Sequence, residues 1–102
     1  MTSLFAAILW GKTEAAKLLI KNGVRVDEAV LDSEVTALHA AAYMLNAPLV
    51  KLLLERGADV NFGQYAHPLD WCYRAKGHQS EAATILKTAG GVIVKHSQPA
   101  VP

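Results

Sequence analysis

Segments 34 residues apart share their apolar pattern, and an internal repeat of that length limits the chain to folds made by stacking one small unit. Leu4 falls where Leu38 falls, Ala6 and Ala7 where Ala40 and Ala41 fall, and Leu18-Leu19-Ile20 where Leu52-Leu53-Leu54 fall. In the second copy, TALHAAA from Thr36 reads as a short helix headed by a capping threonine. PLVKLLLERGADVN from Pro48 reads as a second helix stopped at Gly57. So short a connection makes the two helices antiparallel.

The same punctuation recurs in the other copies. Gly11 ends the first short helix, Thr13 is placed to cap the next, and Asn22-Gly23 is a helix stop. Between the central helices Asn46 can take a left-handed conformation, and Pro48 suits a first helical turn. A third unit starts at His67-Pro68-Leu69-Asp70 and ends at Gly90-Gly91. Together these signals predict helices near residues 3–10, 14–22, 37–45, 48–56, 68–76 and 80–89.

The Thr-x-Leu-His start, the Leu-Leu-Leu run and the Gly-Ala-Asp-Val-Asn end of Thr36 to Phe62 resemble an ankyrin repeat. The resemblance implies an all-α fold, a solenoid of three stacked helix-turn-helix units with short or irregular finger loops. The units cover roughly 2–35, 36–66 and 67–94 of a single domain over 1–94, followed by a flexible tail at 95–102. It also implies a local hydrogen-bonded pair between Thr36 and His39, so His39 reads as structural. In the third unit His67 and Asp70 stand at those two positions, donor and acceptor exchanged. Gly77-His78 comes one residue later than the family places Gly-His, which predicts slightly longer helices there. Val92 to Val94 then resemble the opening of another finger. The first unit begins two residues after Met1, as an abrupt start or as a piece of a longer array.

The family's activity is binding other proteins through the concave side, lined by the short helices and the finger tips. Carried over position by position, the candidate contacts are Ala6, Leu9 and Trp10, then Ala40, Tyr43 and Met44, then Trp71, Arg74 and Ala75. Trp, Tyr, Met and Arg are enriched at interfaces, so the resemblance points to Leu9, Trp10, Tyr43, Met44, Trp71 and Arg74. Trp71 also stands where terminal repeats often carry a packing Trp. Asp27, Glu28, Asp32 and Glu34 make the first finger tip acidic, a solvated loop or a contact for a basic partner. Phe62 and Tyr65 in the short second finger either fold back on the core or project as an aromatic tip.

The function is therefore read as a protein-protein interaction module, an adaptor or an inhibitor by occlusion. The apolar first helix has two readings: Phe5 and Ile8 pack down onto Leu18 and Leu19 and inward against the second unit, or Phe5, Ile8 and Trp10 leave an apolar face for a second copy or a missing repeat. The second gives the alternative function, a self-associating unit. At 102 residues, with 52% hydrophobic and 19% charged residues, the chain has apolar surface to spare for a partner. A formal net charge of +1 without a basic stripe gives no reason to bind nucleic acid or a membrane surface. Leu4 to Trp10 is too short to span a bilayer. One cysteine, Cys72, allows no internal disulfide and suits an intracellular, cytoplasmic setting.

Catalysis finds no foothold in these residues. Gly11-Lys12-Thr13 ends like a phosphate loop, but Ala6 stands where that loop needs glycine. Cys72 matches the core position Ala41, and neither it nor His39 has companions at metal or nucleophile spacing. No enzyme activity, cofactor or metal is expected.

Overall fold

Six α-helices alternate along the residues that the computed structural model describes, which are 3–26, 35–63, 66–76 and 79–94. They are α1 (Ser3–Leu9), α2 (Thr13–Lys21), α3 (Ala37–Tyr43), α4 (Ala47–Glu55), α5 (Pro68–Arg74) and α6 (Glu81–Thr88). Each odd helix packs on the even helix after it. The odd helices stack α1 on α3 on α5 in one layer, and the even helices stack α2 on α4 on α6 in the other. No strand occurs among the described residues.

The core lies between the layers and its composition explains the stacking. Leu4, Ile8, Ile20, Leu38, Leu49, Leu53 and Leu86 fill it, while Ala16, Ala40, Ala41, Ala42, Ala82 and Ala83 are buried at the helix contacts. Alanine keeps helix propensity high and lets neighbouring backbones approach, so short helices can pack on both sides. Cys72 is part of this core.

Several local expectations change. Lys12, not Thr13, precedes α2, and no side chain caps that helix. The Thr13 hydroxyl instead accepts a hydrogen bond from Asn46 Nδ2 at 3.1 Å. Asn46 is itself the cap of α4, its Oδ1 accepting from Leu49 N–H at 3.3 Å. The left-handed residue in that turn is Leu45, with φ of 54°, and Asn46 stays at negative φ. In the third pair α5 has seven residues like α3, and α6 has eight against nine in α4. The later Gly-His does not lengthen the helices. Lys76 takes the left-handed place (φ 63°), and the extra residues lie between it and the cap Ser80. Gly77 and His78 are outside the described residues, as is the tail at 95–102 with its expected fraying.

Phe5 and Ile8 are buried within the single chain, as the inward-packing reading expects, so they do not form an apolar face for a second copy. Leu18 is exposed and Leu19 half-buried. Leu9 at the end of α1 and Trp10 just after it are exposed, and Ala6 and Ala7 are half-buried.

His39 is fully buried and ties the central unit to the start of the third. Its Nδ1 accepts from the Thr36 backbone N–H at 3.1 Å and lies 3.0 Å from the Thr36 hydroxyl. An Nδ1 that accepts from an amide carries no proton, so Nε2 donates, to the Ala66 carbonyl at 2.9 Å. The imidazole is thus neutral. In the third unit Asp70 does the same work with reversed chemistry. Its carboxylate accepts from His67 N–H at 2.8 Å and from Val94 N–H at 3.0 Å, while His67 Nδ1 donates to the Val92 carbonyl at 2.8 Å. Asn61 completes the join, donating to the Gly90 carbonyl and accepting from Val92 N–H, each at 3.0 Å. Val92 to Val94 therefore lie against the second finger and the start of α5.

Candidate protein-binding face

The odd-helix layer carries one row of large side chains, put there by the repeat register. Leu9 and Tyr43 stand 34 residues apart in equivalent positions, and Arg74 comes 31 residues later. Trp10, Met44 and Ala75 form the adjacent row. Helices of seven residues end before these positions can turn inward, so the last turns of α1 and α3 hold them at the surface. Trp10 is 78% exposed, Tyr43 46% and Met44 41%, and Leu9 and Arg74 are exposed as well.

Trp71 differs from the others. It occupies the position of Ala40, which is sealed under the neighbouring unit, and its larger ring lies half-buried across the contact between α3 and α5. Its edge meets His39 at 5.7 Å and Tyr43 at 5.8 Å between ring centroids, both T-shaped. Edge-to-face pairs of this kind add about 0.5–1.5 kcal/mol beyond burial. Trp71 therefore packs the layer and at the same time holds the Tyr43 ring upright at its surface. Of the six proposed contacts, Tyr43 and Trp71 touch, Met44 and Arg74 flank them in sequence, and Leu9 ends α1 with Trp10 directly after it. Ala40 has no exposed surface and drops out as a contact.

Phe62 folds back, half-buried, with its ring edge-on to His39 at 6.5 Å. The other finger candidates, Asp27, Glu28, Asp32, Glu34 and Tyr65, lie outside the described residues.

One contributor escaped the sequence reading. Leu45 is exposed beside Met44 and extends the apolar row. Residue spacing did not point to it, because the left-handed place in this turn was assigned to Asn46 and is held by Leu45. On the opposite layer a cleft of about 510 Å³ runs between α4 and α6, with Leu54 and Ile85 in its floor and Lys51 and Glu55 on its rim. Among the described residues no three His, Cys, Asp or Glu side chains converge as metal ligands, and no helix is long and apolar enough to cross a membrane.

Comparison with known proteins agrees with this architecture. A family model described as ankyrin repeats (3 copies) matches residues 1–64, which hold the first two helix pairs. The chain belongs to the ankyrin repeat family. Among solved structures 351 chains match it. One is the crystal structure of the human ASB11 ankyrin repeat domain, with a TM-score of 0.80 and 29% identity over 90% of this chain and 41% of that chain. The present chain thus spans less than half the length of that neighbour. No curated protein matches. Ankyrin repeats are in general protein-protein interaction modules rather than catalytic ones.

Proposed function

We propose that this chain binds another protein through the row formed by Leu9, Trp10, Tyr43, Met44, Trp71 and Arg74, on the concave side of a three-repeat array over residues 1–94. The observation that carries the reading is the Tyr43–Trp71 pair. Two aromatic rings fixed edge to face at 5.8 Å, with Met44 beside them and a guanidinium one turn away, form a rigid anchor site. Rigid aromatic surface is the kind that supplies hot-spot energy, because little side-chain entropy is lost when it is covered. The array acts as an adaptor or as an inhibitor by occlusion, inside the cell, without catalysis or cofactor. Tyr65 and the acids Asp27, Glu28, Asp32 and Glu34 extend the contact from the fingers.

The test starts with a partner captured from the native source and then purified. Tyr43→Ala or Arg74→Ala should weaken the isolated complex by about 1–4 kcal/mol, the range of hot-spot truncation, with helical circular dichroism unchanged. Lys51→Ala and Glu55→Ala on the other layer should change it by less than about 0.5 kcal/mol. The reverse pattern would put the partner on the even-helix layer, where Lys51 and Glu55 line the grooves on both sides of α4, and end this reading. Trp71→Ala is a poor probe, since it also strips packing from His39.

A further inference from the structure

Charge is divided unevenly between the two helix layers. Each even helix carries both signs, with Glu14 and Lys17 on α2, Lys51 and Glu55 on α4, and Glu81 and Lys87 on α6. The odd helices and the turns that follow them carry Lys12, Asp70, Arg74 and Lys76 and no other acid or base apart from histidine. The three cations are all exposed. The one acid is already used inside the fold.

Asp70 is placed to cancel one of these cations and does not. It stands four residues before Arg74 on α5, the spacing at which a carboxylate and a guanidinium can pair along a helix. Its carboxylate turns instead to the His67 and Val94 N–H groups, at 2.8 and 3.0 Å, and Asp70 is half-buried there. A carboxylate that holds two amide hydrogen bonds gains little from an exposed ion pair. Among the described residues no carboxylate meets Arg74 or Lys76.

Repeat register puts both cations on the row that holds the Tyr43–Trp71 pair. Arg74 stands 31 residues after Tyr43, and Lys76 31 residues after Leu45, each of the latter two at positive φ in its turn. The row is therefore apolar with Trp10 at the first pair and Met44 and Leu45 at the second, and cationic at the third. Lys12, at the N-cap of α2, borders its apolar end. The acids Asp27, Glu28, Asp32 and Glu34 belong to the segment that enters α3 at its N-terminus, whereas the row lies at the C-terminal ends of α1, α3 and α5.

Taking this row as the binding site, as proposed above, we infer that its occupant is a linear acidic segment of a partner protein, with aliphatic or aromatic side chains at one end and carboxylates at the other. The apolar end covers Trp10, Met44 and Leu45, and the carboxylates pair with Arg74 and Lys76. Packed helices lie about 8–10 Å apart, which makes the row from α1 to α5 about 16–20 Å long. About five or six extended residues span that length at about 3.3 Å each. A face of one sign attracts the opposite sign, and a basic segment would meet only like charge there. Nucleic acid fits less well despite the aromatic rings, because its phosphates recur at every nucleotide and need cations along the whole row. From Trp10 to Leu45 the row offers only Lys12.

Selection of random peptides displayed on phage against the immobilised chain tests this. The expected enrichment is for peptides with aliphatic or aromatic residues at one end and Asp or Glu about three to five residues away. Synthetic copies of these peptides should bind in solution, read by fluorescence polarisation. Arg74→Glu combined with Lys76→Glu should weaken them more than about tenfold at low salt, with helical circular dichroism unchanged, and added salt should shrink that difference. The same double variant should enrich peptides with Lys or Arg in place of Asp and Glu. Basic or uncharged peptides enriched by the parent chain, no enrichment at all, or equal binding of the selected peptides to the double variant would each overturn the proposal. So would a single-stranded oligonucleotide that binds more tightly than any selected peptide. Tyr43→Ala separates this proposal from the one it rests on. If it abolishes binding of selected peptides that lack acids, the row is the site and its occupant is not acidic. If acidic peptides bind it as tightly as the parent, they dock elsewhere and the row itself is not the site.

Discussion

Residues in this fold are chosen by the backbone position they must occupy, and Leu45 is where the choice is poor. A side chain at φ of 54° crowds the following carbonyl, at about 1–2 kcal/mol for a non-glycine residue. Leu45 is also exposed, so its truncation removes little burial. Leu45→Gly should therefore raise the stability of the chain by roughly 0.5–1 kcal/mol, read as a higher denaturant midpoint. No gain would mean that the Leu45 side chain contributes packing equal to the strain. Gly63 shows the opposite case. At φ of 113° it lies so close to the Ala66 carbonyl, the acceptor of His39, that a Cβ there would collide with it. The role of His39 was legible from the resemblance to the ankyrin repeat, which implies a hydrogen-bonded pair with Thr36 at these two positions. Its distant partner Ala66 was not, since a bond 27 residues away depends on how the finger returns.

At the scale of helices and turns, the side chains at the starts of the long helices join one repeat to the next. Asn46 closes α4 with its carbonyl and reaches Thr13 of the preceding pair with its amide, so one residue serves as cap and as inter-repeat tie. Ser80 at the equivalent place caps α6 through Ala83 N–H at 3.2 Å. Asn46→Ala should cost about 1–2 kcal/mol as a lost cap. In a double-mutant cycle with Thr13→Ala the coupling should reach at least about 0.5 kcal/mol, as for residues in contact. Zero coupling, measured by denaturant unfolding of the four proteins, would show that the 3.1 Å bond carries no stability. The sequence located Asn46 in this turn but assigned it the wrong task, because asparagine suits both a left-handed turn and a cap. Only the spacing to Leu49 decides between them. The third pair was misjudged for a related reason: added residues can lengthen a helix or a turn, and the exposed turn absorbs them without moving the core.

On the scale of the whole chain, stacking decides what was readable. A repeat fixes the layers, the antiparallel pairs and the core positions, and all six helices lie within two residues of their expected limits. It does not fix which surface stays open. Burial of Phe5 and exposure of Leu18 depend on the angle between α1 and α2, which no residue spacing encodes. Three stacked pairs also leave the middle one responsible for both interfaces, because α3 packs against α1 and α5 and α4 against α2 and α6. In a linear array each unit is stable mainly through its neighbours, so damage to the centre is felt at both ends. Leu53 is fully buried in α4 and has no polar atom to satisfy. Leu53→Ala should cost about 2–5 kcal/mol, the transfer of the lost methyl groups plus the cavity they leave. Because both interfaces weaken together, the chain should still unfold in a single step, with a lower denaturant midpoint and an unchanged slope. A reduced slope or a second transition would show that the outer pairs fold without the centre. An unchanged midpoint would place the core somewhere other than between these helices.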